Sequence, residues 1–314
     1  MGALSFVFPG QGSQAVGMLA ELAGAYPLVG DTFAEASAAL GLDLWRLVQE
    51  GPAEELNLTH NTQPAMLAAG VAVWRVWQQQ GGVQPAYLAG HSLGEYTALV
   101  AGGAIEFADA VRLVAERGRL MQAAVPEGTG AMAAILGLDD DQVRAACAQA
   151  AAGEVVEAVN FNSPGQVVIA GHAGAVARAV EAAKAAGAKR AVTLPVSVPS
   201  HCALMRPAAE RLAQRLASMA VRVPQIPVLH NVDVAVASTP DAVRDRLARQ
   251  LHSPVRWAET VQRLAAEGVT LVVEAGPGKV LAGLNKRIDK NLESVAAYDP
   301  TSLAAALEAA HARE

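Results

Sequence analysis

Cysteine is scarce in this chain: Cys147 and Cys202 are the only two in 314 residues. They are far apart and lack metal-ligand spacing. A disulfide framework is therefore excluded, no metal site is expected, and two reduced thiols in a cytoplasmic protein are the expectation. Aromatic residues make up only 4% of the chain, while hydrophobic residues reach 52%. Alanine and valine carry that balance, which is ample for a packed core and far from disorder. There is no excess of positive charge. The formal net charge is −6, so nothing global points to nucleic acid. No apolar run approaches about 18 residues, so no membrane span is expected. The N-terminus has no basic leader and runs straight into an apolar strand, which argues against a signal peptide. No repeat of solenoid period and no low-complexity tract occurs.

What is present is alternation. Strand Leu4–Phe8 ends at Pro9-Gly10-Gln11-Gly12. Helical patterns follow at Phe33–Leu40 and Gln63–Gln79. A strand over 86–89 precedes helices over 95–102 and 106–123. This order predicts an α/β fold, an α/β-hydrolase-like large domain with a largely parallel sheet under helices. Val125-Pro126-Glu127-Gly128-Thr129-Gly130 then reads as a linker. After it come strand Ala131–Leu136, helix Asp139–Ala151, strand Val155–Asn160, a turn at Asn162-Ser163-Pro164-Gly165, strand Gln166–Ala170, helix Ala173–Ala186 and strand Arg190–Val196. That β-α-β-β-α-β order is ferredoxin-like. The reading is an inserted small domain over 126–202. Residues 1–125 and 203–314 form the large α/β domain, and the active site lies in the cleft between the two. The large domain resumes with a helix over about 203–219, strand Pro227–Asn231, helices over 241–251 and 255–267, and strand Val269–Glu274. A helix from Gly276-Pro277-Gly278 to Ile288, a short strand and a last helix follow.

The stretch richest in chemistry is Gly90-His91-Ser92-Leu93-Gly94. Strand, Gly-x-Ser-x-Gly, then helix is a nucleophile elbow. The tight turn projects the hydroxyl of Ser92, and the helix behind it offers unpaired N–H groups to an oxyanion. Such a serine needs a base. The candidates are His60, His91, His172, His201, His230, His252 and His311. His91 adjoins the serine but points elsewhere on the turn, which suits backbone support. His201 stands out, because it lies in Val196-Ser197-Val198-Pro199-Ser200-His201-Cys202, a non-periodic seam where the two domains rejoin. No Asp or Glu offers itself as a third member. Asp139-Asp140-Asp141 reads as a helix cap.

Further stretches run from the first strand to the last helices: Phe8-Pro9-Gly10-Gln11-Gly12-Ser13-Gln14, Asn61-Thr62-Gln63-Pro64-Ala65, Arg117-Gly118-Arg119-Leu120-Met121, Val159-Asn160-Phe161-Asn162-Ser163-Pro164 and Gly276-Pro277-Gly278-Lys279-Val280-Leu281. With Gly90–Tyr96 and Val198–Cys202 they make the chain resemble the malonyl-CoA:acyl carrier protein transacylases. The resemblance implies a ping-pong transfer of a malonyl group from coenzyme A, through Ser92, to the pantetheine thiol of acyl carrier protein. It makes His201 the base and the backbone carbonyl of Gln250 its orienter, with no demand on the Gln250 side chain. The oxyanion would rest on the N–H groups of Gln11 and Leu93. Arg117, which by itself reads as a solvated charge, would fork onto the malonyl carboxylate. Gln63, Asn160, Asn162, Asn231 and His91 would surround the substrate. No cofactor is implied, and a cytoplasmic monomer is the default.

Because acyl carrier protein is acidic, a local basic patch is expected despite the net charge. Lys189-Arg190 and Lys286-Arg287 are the candidates, with Arg206 between the domains. Other readings remain open. The same Ser–His pair would serve a thioesterase or acyl hydrolase, and a trans-acting polyketide acyltransferase would look alike. A non-catalytic docking protein would not need the pair intact. Gly10-Gln11-Gly12-Ser13-Gln14-Ala15 formally fits a dinucleotide fingerprint, but no acidic residue ends a second strand downstream. The small Ser200 before His201 leaves tolerance of 2-methylmalonyl open.

Overall fold

Ala3–Phe8 forms β1, and every residue from Leu4 to Phe8 is buried. A strand apolar on both faces belongs in the middle of a parallel sheet. The computed structural model describes residues 3–196 and 198–313. Ser197, part of the seam singled out above, lies outside the described residues. After β1 come α1 (Ala20–Ala25), α2 (Leu28–Leu40), α3 (Leu44–Glu50), α4 (Ala53–Leu56), α5 (Thr59–Gln79), β2 (Tyr87–Gly90), α6 (Gly94–Ala101) and α7 (Phe107–Ala123). The next group is β3 (Gly130–Leu136), α8 (Asp140–Ala150), β4 (Val156–Ser163), β5 (Gln166–His172), α9 (Ala173–Ala185) and β6 (Arg190–Thr193). A 3-10 turn at Ala203–Met205 leads to α10 (Arg206–Ala217), β7 (Val228–Leu229), α11 (Pro240–Gln250), α12 (Trp257–Ala266), β8 (Val269–Ala275), α13 (Val280–Ile288), β9 (Glu293–Ala297) and α14 (Pro300–His311).

Two sheets result. The first has the order β7-β2-β1-β8-β9, with every described pairing parallel. The second has the order β4-β5-β3-β6 and is antiparallel throughout. Its strand order is that of the ferredoxin-like arrangement expected from the sequence. Helices α8 and α9 pack together over one face of it, around Ile135, Val143, Phe161 and Val176. A parallel main-chain bridge ties β4 to the loop between α11 and α12. Phe161 N–H donates to Val255 O at 3.0 Å, and Val255 N–H donates to Val159 O at 2.8 Å.

Several boundaries differ from the sequence reading. Helices α1, α3 and α4 are short and escape periodicity, which needs about two turns to register. Helix α5 begins four residues before Gln63 and carries Pro64 internally. The residues Asn162 and Ser163, read as a turn, continue β4 as strand, leaving Pro164-Gly165 as the tight connection. Pairing of Ser163 with Gln166 in β5 extends the ladder through these residues and overrides local turn preference. Strand β6 stops at Thr193 rather than Val196, and β7 is only two residues long. The last glycine-rich turn reaches helix only at Val280, because Gly276 and Gly278 take positive φ of 140° and 81°.

Candidate active site

Ligand sites in open parallel sheets lie beyond the carboxyl ends of the strands. Strands β1 and β2 run side by side, and both end at one cleft. Beyond β2 the chain turns sharply at Ser92, whose φ of 50° is left-handed. Such a conformation costs a non-glycine residue about 1–3 kcal/mol. The flanking glycines make it possible. A Cβ on Gly90 would lie 1.9 Å from the Gly94 carbonyl carbon, and one on Gly94 would lie 2.0 Å from Phe8 O.

His201 also has a left-handed φ, 68°. Two bonds to the C-terminal end of α11 hold it. Its N–H donates to Leu251 O at 2.9 Å, and its Nδ1 donates to Gln250 O at 2.8 Å. Carbonyls at a helix C-terminus are unpaired and carry the negative end of the dipole. They therefore fix the Nδ1–H tautomer and favour a transient imidazolium, the task an aspartate performs elsewhere. Nε2 is left to accept from Ser92 Oγ, 2.7 Å away. Burial first, and the Arg117 charge second, push the His201 imidazole down to about 3. The group is neutral at neutral pH and ready to take a proton. The alternative nucleophiles are silent: burial pushes the thiols of Cys147 and Cys202 up to about 12.

The sign of this shift sets a pH dependence. Between about 3 and the ordinary 6.5 the unfolded chain binds a proton at His201 that the folded chain refuses. Acid therefore favours unfolding across that window, and stability falls as pH drops below 6.5. The rate of serine acylation should show no histidine limb near pH 6.5. Stopped-flow loading from pH 8 to pH 5 checks this, and a midpoint near 6.5 would contradict the geometry.

Arg117 is 1% exposed, where bare sequence reading placed a solvated charge. Helix α7 turns it inward. Nη1 donates to Gln63 Oε1 and Nη2 to Gln250 Oε1, both at 2.9 Å. Nη2 also stands 3.4 Å from Ser92 Oγ. The guanidinium lies over the Tyr96 ring at 5.3 Å. Its Nε has no partner among the described residues, and no carboxylate pairs with it there. A buried cation short of an anion, aimed at a nucleophile, is an anion-binding site in waiting.

The N–H groups around the elbow are nearly all spent. Ser92 N–H donates to Asn231 Oδ1, and Gly94 N–H to His91 O. The Leu93 N–H between them meets no acceptor among the described residues, and neither does that of Gln11. Both residues line the cleft, a cavity of about 220 Å³ that also holds His91, Arg117, Asn160 and His201. His91 Nε2 donates to Asn162 Oδ1 at 2.8 Å, tying the elbow to β4. Asn160 reaches the cleft with an unpartnered Oδ1.

Three expectations need correction. Gln63 is buried beneath Arg117 and does not line the cleft, because its amide is consumed by Arg117 and Met121. Asn231 is fully buried behind the elbow, where its amide grips Ser92 N–H and Gly90 O. Gln250 contributes more than a carbonyl, since its side chain joins Arg117, Ser92 O and Glu95. Glu95 and Tyr96 also belong to the site, and the only local sign of it is a carboxylate inside the apolar helix Gly94–Ala101.

Of the two basic pairs proposed for docking, Lys189-Arg190 and Lys286-Arg287, Arg287 touches Gln166 and Arg190 shares its cross-strand row. Arg287 Nη1 donates to Gln166 Oε1, and Gln166 pairs with Leu136, which pairs with Arg190. Lys189, Arg190, Lys286 and Arg287 are all exposed. None has an acidic partner among the described residues. Arg206 is exposed at the start of α10.

Residues 5–308 match the acyl transferase domain family. The malonyl CoA-acyl carrier protein transacylase of Escherichia coli (strain K12) is 64% identical over 304 residues, covering 97% of this chain and 98% of that protein. The protein of the same name from Bacillus subtilis (strain 168) is 45% identical over 309 residues, covering 98% and 97%. The chain belongs to the malonyl-CoA:acyl carrier protein transacylase family. Among solved structures, an acyl carrier protein S-malonyltransferase from Vibrio cholerae superposes with a TM-score of 0.95 at 63% identity, over 96% of this chain and 99% of that one. A malonyl-transacylase solved with its type II PKS acyl-carrier protein superposes at 0.97 with 59% identity, over 98% and 99%.

Proposed function

We propose that this transacylase carries a malonyl group from coenzyme A to the pantetheine thiol of acyl carrier protein through a malonyl ester on Ser92. Ser92 Oγ attacks the thioester carbonyl while His201 Nε2 takes its proton. The N–H groups of Gln11 and Leu93 receive the oxyanion, and one such donor is worth about 10²–10³ in rate. Collapse breaks the C–S bond, and the departing thiolate takes the proton from His201. The second half runs the same steps backward, with the carrier-protein thiol attacking the ester and Ser92 Oγ recovering its proton. Arg117 grips the malonyl carboxylate throughout. That carboxylate also offsets the second cause of the low His201 basicity, so the base strengthens once the correct substrate is seated.

The single observation that carries this reading is the buried guanidinium, without a carboxylate partner among the described residues, 3.4 Å from the serine hydroxyl. The test is the intact-protein mass after exposure to malonyl-CoA. A malonyl adduct should appear on the wild type and disappear on adding carrier protein. Release of free malonate at a rate matching transfer would instead make the enzyme a hydrolase.

Residues 126–202 act as the inserted domain in this reading, with 1–125 and 203–314 as the larger one. The two buried free cysteines suit a reducing cytoplasm, and a monomer suffices because every proposed site residue comes from one chain. Carrier protein docks on the two basic pairs, Lys189-Arg190 and Lys286-Arg287. Lys286→Glu with Arg287→Glu should raise the carrier-protein KM by about tenfold, since rim charges act chiefly on encounter. Malonyl loading of Ser92 should be unchanged. An unaltered carrier-protein KM would move the dock elsewhere.

A further inference from the structure

Behind the reactive pair lies a second polar layer that no step above uses. Its centre is Glu95, 0% exposed in the first turn of α6. One carboxylate oxygen accepts from His230 Nδ1 at 2.7 Å. The other accepts from Asn231 N–H at 2.8 Å and Gln250 Nε2 at 2.9 Å. Asn231 extends the layer to Ser92 N–H and Gly90 O, and Gln250 Nε2 extends it to Ser92 O.

A carboxylate can only accept, whereas a carboxamide has one accepting and one donating end. Facing Glu95, the Gln250 amide must present Nε2. It must then present Oε1 to Arg117, as observed at 2.9 Å. The reverse orientation would set N–H against guanidinium N–H and carbonyl against carboxylate. Cation and anion thus stand at opposite ends of one amide. Arg117 has a counter-charge nearby but no direct ion pair among the described residues, so no carboxylate occupies the Nη2 edge that faces Ser92 Oγ. A carboxylate in direct contact would consume that edge.

We propose that Glu95 is a positioning residue for acyl selectivity, which fixes the polarity of the Gln250 amide so that Arg117 is held in place without being quenched. This rests on the reading that Arg117 takes the acyl carboxylate. Purely structural support predicts a different result, because it would lower malonyl and acetyl loading alike.

The experiment compares malonyl-CoA and acetyl-CoA as donors and reads the ratio of their Ser92 loading rates. Glu95→Gln preserves shape and removes the anionic acceptor, leaving Ser92 O as the remaining acceptor for Gln250 Nε2. Gln250→Met preserves length and removes the amide, and covers the case in which the first variant fails to fold. Each should lower the malonyl-to-acetyl ratio about tenfold, and neither should lower it further in an Arg117→Ala background. A ratio unchanged or raised in either soluble variant overturns the proposal, as does an equal further loss without Arg117. Failure of the wild type to load malonyl would instead defeat the functional reading itself.

Discussion

An Arg117→Ala enzyme should lose malonyl transfer by about 10²–10⁴-fold while its slow acetyl transfer falls far less. The reason is the geometry of a buried fork. Arg117 is screened from water, faces Ser92 Oγ and has no carboxylate partner among the described residues. A malonyl group supplies one in a bidentate pair, and an acetyl group leaves the desolvated donors empty. Truncation removes both the reward for the first and the penalty on the second. Arg117→Lys should recover only part of the preference, because an ammonium cannot reproduce two parallel bonds. Parallel kcat/KM measurements with both thioesters decide it, and equal losses would remove Arg117 from selectivity.

Ser92→Ala should abolish the acyl adduct and reduce transfer on the order of 10⁶-fold. His201→Ala should cost nearly as much, and the double variant no more than the worse single one. Groups that act as one unit lose their whole effect at the first deletion. The 2.7 Å contact between Ser92 Oγ and His201 Nε2, with Nδ1 anchored on Gln250 O, makes them such a unit. Additive losses would mean that the serine is activated by something other than this histidine.

The chain's order of strands and helices was readable because long amphipathic segments and glycine-bounded strands leave a local record. The elbow was readable for the same reason, since Gly90, Ser92 and Gly94 satisfy one steric requirement within five residues. His201 was found by its place at a seam. The inner layer was not legible. Gln250 and Glu95 are 155 positions apart, and nothing near either predicts that they meet. Gln63 and Asn231 pose a related problem. An amide near a cleft can face the ligand or support what does, and only the packed fold separates these cases. Arg117 needed the resemblance, because an arginine on an amphipathic helix is usually solvated.

The main-chain bonds between Val255 and β4 have a mechanical meaning. They stitch β4, whose Asn162 accepts from His91, to the loop before α12. The elbow thus leans on a strand that cannot shift without breaking main-chain bonds, and Ser92 should keep its place against β4 when it carries an acyl group. Superposing unloaded and acylated structures checks this.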